Sequence, residues 1–175
     1  MNKNLTKPVI TALFAAMACV ATMIIKVPTI GTNGYVNIGD TIVLLSAWII
    51  GGVYGGLAAG IGSCLADLLS GYGSYVPGTL VIKFFMSIAA YFVYIALKKM
   101  NVNKIVAYVI SGVVAEIVMI VGYFLYESTL LGYGLAAAAS IGSNAIQGGT
   151  CLVLGVAAIL LLESTKAVNQ VKNYV

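Results

Sequence analysis

Between Asp40 and Asp67 the chain runs 26 residues without a charged side chain. A single helix of that length would be about 39 Å long, longer than the roughly 30 Å hydrocarbon core of a bilayer. Four further apolar runs, at 8–25, 78–97, 105–126 and 135–162, repeat the pattern. Only 8% of the residues are charged, and the mean hydropathy is +1.05. An average soluble protein carries about 25% charged residues, so this chain cannot clothe a water-facing surface. It reads as an all-α integral membrane protein forming a single membrane domain over 1–175.

The run from 41 to 66 decides the number of spans. Its middle reads GGVYGGLAAGIG, and the glycine pairs at 51–52 and 55–56 invite a break. Lys3, Lys7, Lys98, Lys99, Lys104, Lys166 and Lys172 flank the spans. Five spans would divide these lysines between the two sides. Six spans put all of them on one, and the positive-inside rule selects six, with both termini cytoplasmic. The expected helices are about 8–26, 40–52, 54–70, 78–99, 104–127 and 135–163. Helices 2 and 3, split from one run, are expected to be short. Polar flanks at their outer ends then sit near membrane depth, where they must face protein or a wet cavity.

The N-terminus resembles a signal peptide in its basic flank. Its apolar run of about 18 residues exceeds an ordinary h-region and favours a retained first span. Cys19, Cys64 and Cys151 lie in apolar runs without metal-ligand spacing and read as buried structural thiols. There is no histidine, and no G-x-x-x-x-G-K-[ST] loop, so neither a histidine zinc site nor a P-loop is present. GIGSCL mimics part of a dinucleotide loop, but no strand precedes it.

The remaining charges gather in the outer half. Glu116, Ile120, Tyr123 and Glu127 follow i, i+4, i+7, i+11 and form one helical stripe. Asn144 and Gln147 share a face of the last helix. Lys83 lies about a turn into helix 4 from the outside, and Asp40 and Asp67 mark the outer ends of helices 2 and 3. A mid-membrane carboxylate facing two amides, a lysine and tyrosines describes a polar small-molecule pocket. Each residue also has a structural reading. Asn144 and Gln147 serve as interhelical hydrogen-bonding groups, Lys83 snorkels to the headgroups, and Asp40 and Asp67 cap helices. On helix 1, Ala12 and Ala16, and Ala15 and Cys19, are spaced four apart. This spacing permits close helix contact and by itself favours packing within the chain.

The elements NIGD (37–40), ADLLSGY (66–72), YVPGTLVIK (75–83), AEIVMIVGYFLYE (115–127) and N-x-x-Q (144–147) occur in that order. Together they resemble the substrate-binding S component of energy-coupling factor (ECF) vitamin transporters, in the riboflavin-type branch. The resemblance covers about residues 8–162. It implies a non-enzymatic capture subunit in the cell membrane of a bacterium. It implies a pocket drawing on Lys83, Glu116, Tyr123, Asn144 and Gln147, with Asp40 and Asp67 nearby. It also implies docking of Ala12, Ala16, Ala15 and Cys19 onto a transmembrane coupling subunit driven by two ATPase subunits. The remaining partners are a small vitamin and the lipid bilayer. No cofactor, metal, catalytic residue or nucleic acid is expected. One carboxylate, two amides and a lysine suit pyridoxine or hydroxymethylpyrimidine, with riboflavin next. The alternatives are an autonomous small transporter or channel, and a membrane assembly protein.

Overall fold

The computed structural model describes residues 3–29, 32–165, 168 and 171, with side chains from Leu5 onward. Six helices follow one another: α1 (Lys3–Ile24), α2 (Asp40–Ile49), α3 (Gly52–Leu69), α4 (Val76–Lys99), α5 (Lys104–Leu125) and α6 (Ala139–Ser164). A short antiparallel hairpin joins α1 to α2. It pairs β1 (Lys26–Pro28) with β2 (Tyr35–Asn37) in the register Lys26 to Asn37 and Pro28 to Tyr35. One π-helical turn, Tyr126–Leu130, continues α5, and a 3₁₀ turn, Gly134–Ala138, leads into α6.

The glycine-rich run does split, but unequally. Ile50 and Gly51 both donate their N–H to the Ser46 carbonyl and close α2. Gly51 (φ 70°) and Gly52 (φ 51°) then take left-handed conformations that reverse the chain. Because the reversal falls at Gly51, α2 has 10 residues and α3 has 18. At 1.5 Å per residue, α2 climbs only about 15 Å and α3 about 27 Å. Only α2 is therefore short, and the other five helices are long and apolar enough to cross a membrane.

This inequality positions the site. Lys7, Gly51 and Lys98 line one cavity, and Lys104 pairs with Glu163 at 2.6 Å, so these groups share one end of the bundle. Lys166 and Lys172 lie outside the described residues. Starting from that end, α2 stops about halfway through the bundle. The hairpin folds down over its free end, and Asn37 and Asp40 meet α6 there.

Close helix contacts explain the glycines of α3. A Cβ on Gly60 would stand 2.6 Å from the Leu80 carbonyl of α4, and one on Gly62 would strike the Ala15 backbone of α1. Helices approach this closely in a bilayer because contact is driven by packing rather than by hydrophobic burial. At the lysine-rich end, Trp48 donates to Ser111 Oγ at 3.0 Å and packs on Tyr108, which stacks on Tyr94. The single tryptophan is thus a core residue. Outward-facing Leu5, Val9, Leu13, Val20 and Ile24 leave one side of α1 apolar and exposed.

Candidate ligand pocket

The hairpin end encloses a small polar pocket. Tyr35 and Asn37 of β2 and Thr29 form its roof, and Asp67, Tyr75 and Thr79 form one wall. Tyr123, Glu127, Asn144 and Gln147 complete it from α5, its π turn and α6.

Each wall has a local cause. Asp67 sits in the last turn of α3, where the helix dipole disfavours a carboxylate. Its compensation is tertiary: Tyr35 Oη donates to Oδ1 at 2.6 Å, while the buried Oδ2 makes no hydrogen bond. The π turn swings Glu127 inward, so that it is buried. Tyr75 donates to its Oε1 at 3.0 Å, and Ser140 shares a 2.5 Å hydrogen bond with Oε2. Tyr123 and Thr79 join their hydroxyls at 3.0 Å. Burial, and then the Asp67 charge, pushes the Tyr35 hydroxyl above the ordinary tyrosine range. Burial and Glu127 do the same to Tyr75. Both hydroxyls therefore remain donors at neutral pH.

Beneath the pocket lies a charged floor. Asp40 opens α2 and is fully buried, and Lys83 of α4 is 2% exposed. The two form a buried ion pair. Lys83 Nζ also lies 5.3 Å from the centre of the Tyr123 ring. Lys83 therefore turns into the bundle and does not snorkel. Asp40 is not a cap either: Gly39 holds that position, without a side-chain bond. Gln147 bridges roof and floor, since its Oε1 accepts from the Asn37 N–H at 2.6 Å and its Nε2 donates to Asp40 Oδ2 at 2.5 Å.

The structure thus places Asp67, Tyr123, Asn144 and Gln147 on the pocket wall and Asp40 and Lys83 just beneath it. Glu116 is buried but does not line the pocket. It packs on Gly148, where a Cβ would lie 3.0 Å from Glu116 Cβ and Oε2, and neither carboxylate oxygen has a hydrogen-bond partner. Glu116 makes no hydrogen bond to either amide. Tyr35, Tyr75, Thr79 and Glu127 also line the pocket and are not among the expected site residues. Tyrosine density in the two loops at that end, GYVN and SGYGSYVPG, was the available signal.

The free volume inside the pocket is about 30 Å³. Sites for small organic ligands run from about 300 to 1,000 Å³. A ligand of that class needs the roof to move. The roof is a two-stranded hairpin of three residues per strand, joined to the floor through Gln147.

On α1 the small residues serve two faces. Ala15 and Ala18 turn inward onto Gly62. Ala12 and Ala16 are exposed beside an apolar groove of about 440 Å³ against Leu57, Ile61 and Leu65 of α3, with Ala15 at its edge. Cys19 is half-buried.

A six-helix membrane bundle with one half-length helix and a hairpin roofing a polar pocket defines a multi-pass membrane protein built around an internal site. The family model for the ECF-type riboflavin transporter S component matches residues 2–164. An uncharacterized protein of Pyrococcus woesei is 32% identical over 136 residues, covering 78% of this chain and 87% of that protein. The solved S component of a bacterial ECF transporter superposes with a TM-score of 0.65 at 21% identity, covering 91% of this chain and 96% of that one. The chain belongs to the ECF-type riboflavin transporter S component family. It is a substrate-capture subunit of an ECF transporter, not an enzyme, and it works with other ECF components on a small-molecule vitamin.

Proposed function

We propose that the hairpin end faces outward, that both termini are cytoplasmic, and that the pocket captures one small water-soluble vitamin or precursor. Asp67, Tyr123 and Asn144 contact the ligand. Gln147 joins them from the wall, Asp40 and Lys83 hold the charged floor, and Glu116 lies deeper. Pyridoxine or hydroxymethylpyrimidine is favoured, with riboflavin next. The observation that carries this reading is the buried polar wall under a hairpin roof, at the end opposite Lys7, Lys98 and Lys104. A positive-inside orientation puts that roof outside the cell.

Delivery follows by docking. Ala12 and Ala16, with Ala15 at the groove edge and Cys19 a turn beyond, let a helix of a transmembrane coupling subunit approach the backbone of α1. Two ATPase subunits supply the energy. The groove of about 440 Å³ and the exposed stripe on α1 support this. Native mass spectrometry of the purified chain with pyridoxine, hydroxymethylpyrimidine and riboflavin tests the capture step. One retained compound is expected. Solute flux in liposomes lacking any ATPase would instead mark an autonomous transporter.

A further inference from the structure

The charges around the pocket are lopsided. Two carboxylates, Asp67 and Glu127, line it, and no lysine does among the described residues. The chain has no histidine, and all nine of its basic residues are lysines. Lys83 lies below the wall, engaged with Asp40. Lys26 stands at the rim, exposed, and donates to Ser70 Oγ at 2.9 Å. Glu116, deeper still, adds another buried carboxyl group. Among the described residues, Asp40 is the only buried carboxylate in an ion pair.

Asp67 carries the point further. It is 4% exposed, it lines the pocket, and its Oδ2 is buried without a hydrogen bond. A buried carboxylate oxygen lacking a partner is costly unless a donor or a cation reaches it. Around it stand tyrosine rings rather than aliphatic side chains. Tyr75 lies 6.4 Å from Tyr123, and Tyr35 lies 4.5 Å from Tyr72. Rings of this kind attract a cation through their faces. Two of them do so already, with Lys83 over Tyr123 and Lys26 over Tyr35 at 5.9 Å.

We infer that the ligand of this pocket carries a positively charged nitrogen, an ammonium or a cationic heteroaromatic ring, seated against Asp67 and the faces of Tyr35, Tyr75 and Tyr123. This rests on the capture step proposed above and replaces its ranking of ligands, since pyridoxine, hydroxymethylpyrimidine and riboflavin carry no fixed positive charge. A phosphorylated vitamin is excluded, because it would bring negative charge beside two carboxylates with no lysine in the wall. A neutral flavin brings no positive charge to Asp67.

The test is a charge-matched titration on the purified full chain by calorimetry. Pyridoxamine and pyridoxine share one ring and differ by an ammonium in place of a hydroxyl. Thiamine, a permanent ring cation, and 3-deazathiamine, its neutral thiophene isostere, form a second pair, with riboflavin and hydroxymethylpyrimidine as further neutral members. Pyridoxal phosphate, biotin and folate complete the panel as anions. The cation of at least one pair should bind about 10- to 100-fold tighter than its neutral counterpart. Asp67→Asn should collapse that ratio to within about 3-fold while moving the neutral probe less, since the amide keeps the shape and removes the charge. Tightest binding by a neutral or anionic member overturns the inference and leaves the capture reading standing. An undiminished ratio in Asp67→Asn also overturns it. No binding by any member overturns both. Should Asp67→Asn fail to purify, the ratios for the unaltered chain decide alone.

Discussion

Replacing Lys83 with Met tests whether the floor of the pocket is built on a buried ion pair. The two partners are 43 residues apart in sequence, and their side chains are 3% and 1% exposed. Met nearly matches the lysine stem in volume, so packing changes little and the charge alone is lost. Asp40 would keep only its bond from Gln147. Removing one partner of a buried pair leaves an uncompensated charge and typically costs about 3–5 kcal/mol. For a chain of 150–250 residues each kcal/mol moves Tm by about 2–4 °C. Lys83→Met should therefore lower Tm by about 6–20 °C in differential scanning fluorimetry of the detergent-solubilised protein. Adding Asp40→Asn removes the stranded charge and should restore at least half of that loss, because replacing both partners of a buried pair is often neutral. A shift below about 2 °C in the single variant would show that Lys83 reaches the headgroups and that the ion pair does not form. Equal losses in the single and double variants would show that the effect is packing rather than charge.

Asn144→Ala should weaken ligand affinity about 5- to 150-fold, the equivalent of one lost buried hydrogen bond of about 1–3 kcal/mol. Calorimetry with the ligand identified on the unaltered chain reads this directly, and unchanged affinity would assign Asn144 to helix packing. Replacing Ala12 and Ala16 together with Phe should abolish uptake by the assembled transporter and leave ligand binding within about 3-fold, because the added bulk lies on an exposed face of α1. Equal loss of both activities would place that face against the chain's own bundle. Met100, 72% exposed in the α4–α5 connection, should resist labelling from outside intact cells after Met100→Cys in a background whose three native cysteines are alanine. Strong external labelling would invert the proposed orientation.

Much of the architecture was legible locally. Hydropathy and lysine placement act over stretches of about 20 residues, so the six helices and the shared lysine-rich end could be read without tertiary contacts. The stripe of Glu116, Tyr123 and Glu127 on one face of α5 also follows from helical period alone, as does the polar face of Asn144 and Gln147 on α6. Two facing sides of one helix were harder. The spacing of Ala12, Ala15 and Ala16 announces close contact but not its partner, and in the fold Ala15 meets Gly62 while Ala12 and Ala16 face outward.

Depth and rotation belonged to the tertiary structure. Periodicity places a residue on a face, but not at a height relative to its neighbours. The reversal at Gly51 set α2 at 10 residues, which put Asp40 at the level of Lys83 and formed their pair. The same heights left Glu116 on Gly148, below the pocket it was expected to line. Tyr35 came into the roof from β2 and Tyr75 into the wall from the α3–α4 connection, where their hydroxyls are the donors to the buried Asp67 and Glu127. By itself the sequence, through composition along one helix, marks the apolar segments, but not that α2 stops halfway while the other five helices are long enough to cross. Which polar groups meet inside depended on helix lengths and crossings that no single segment contains.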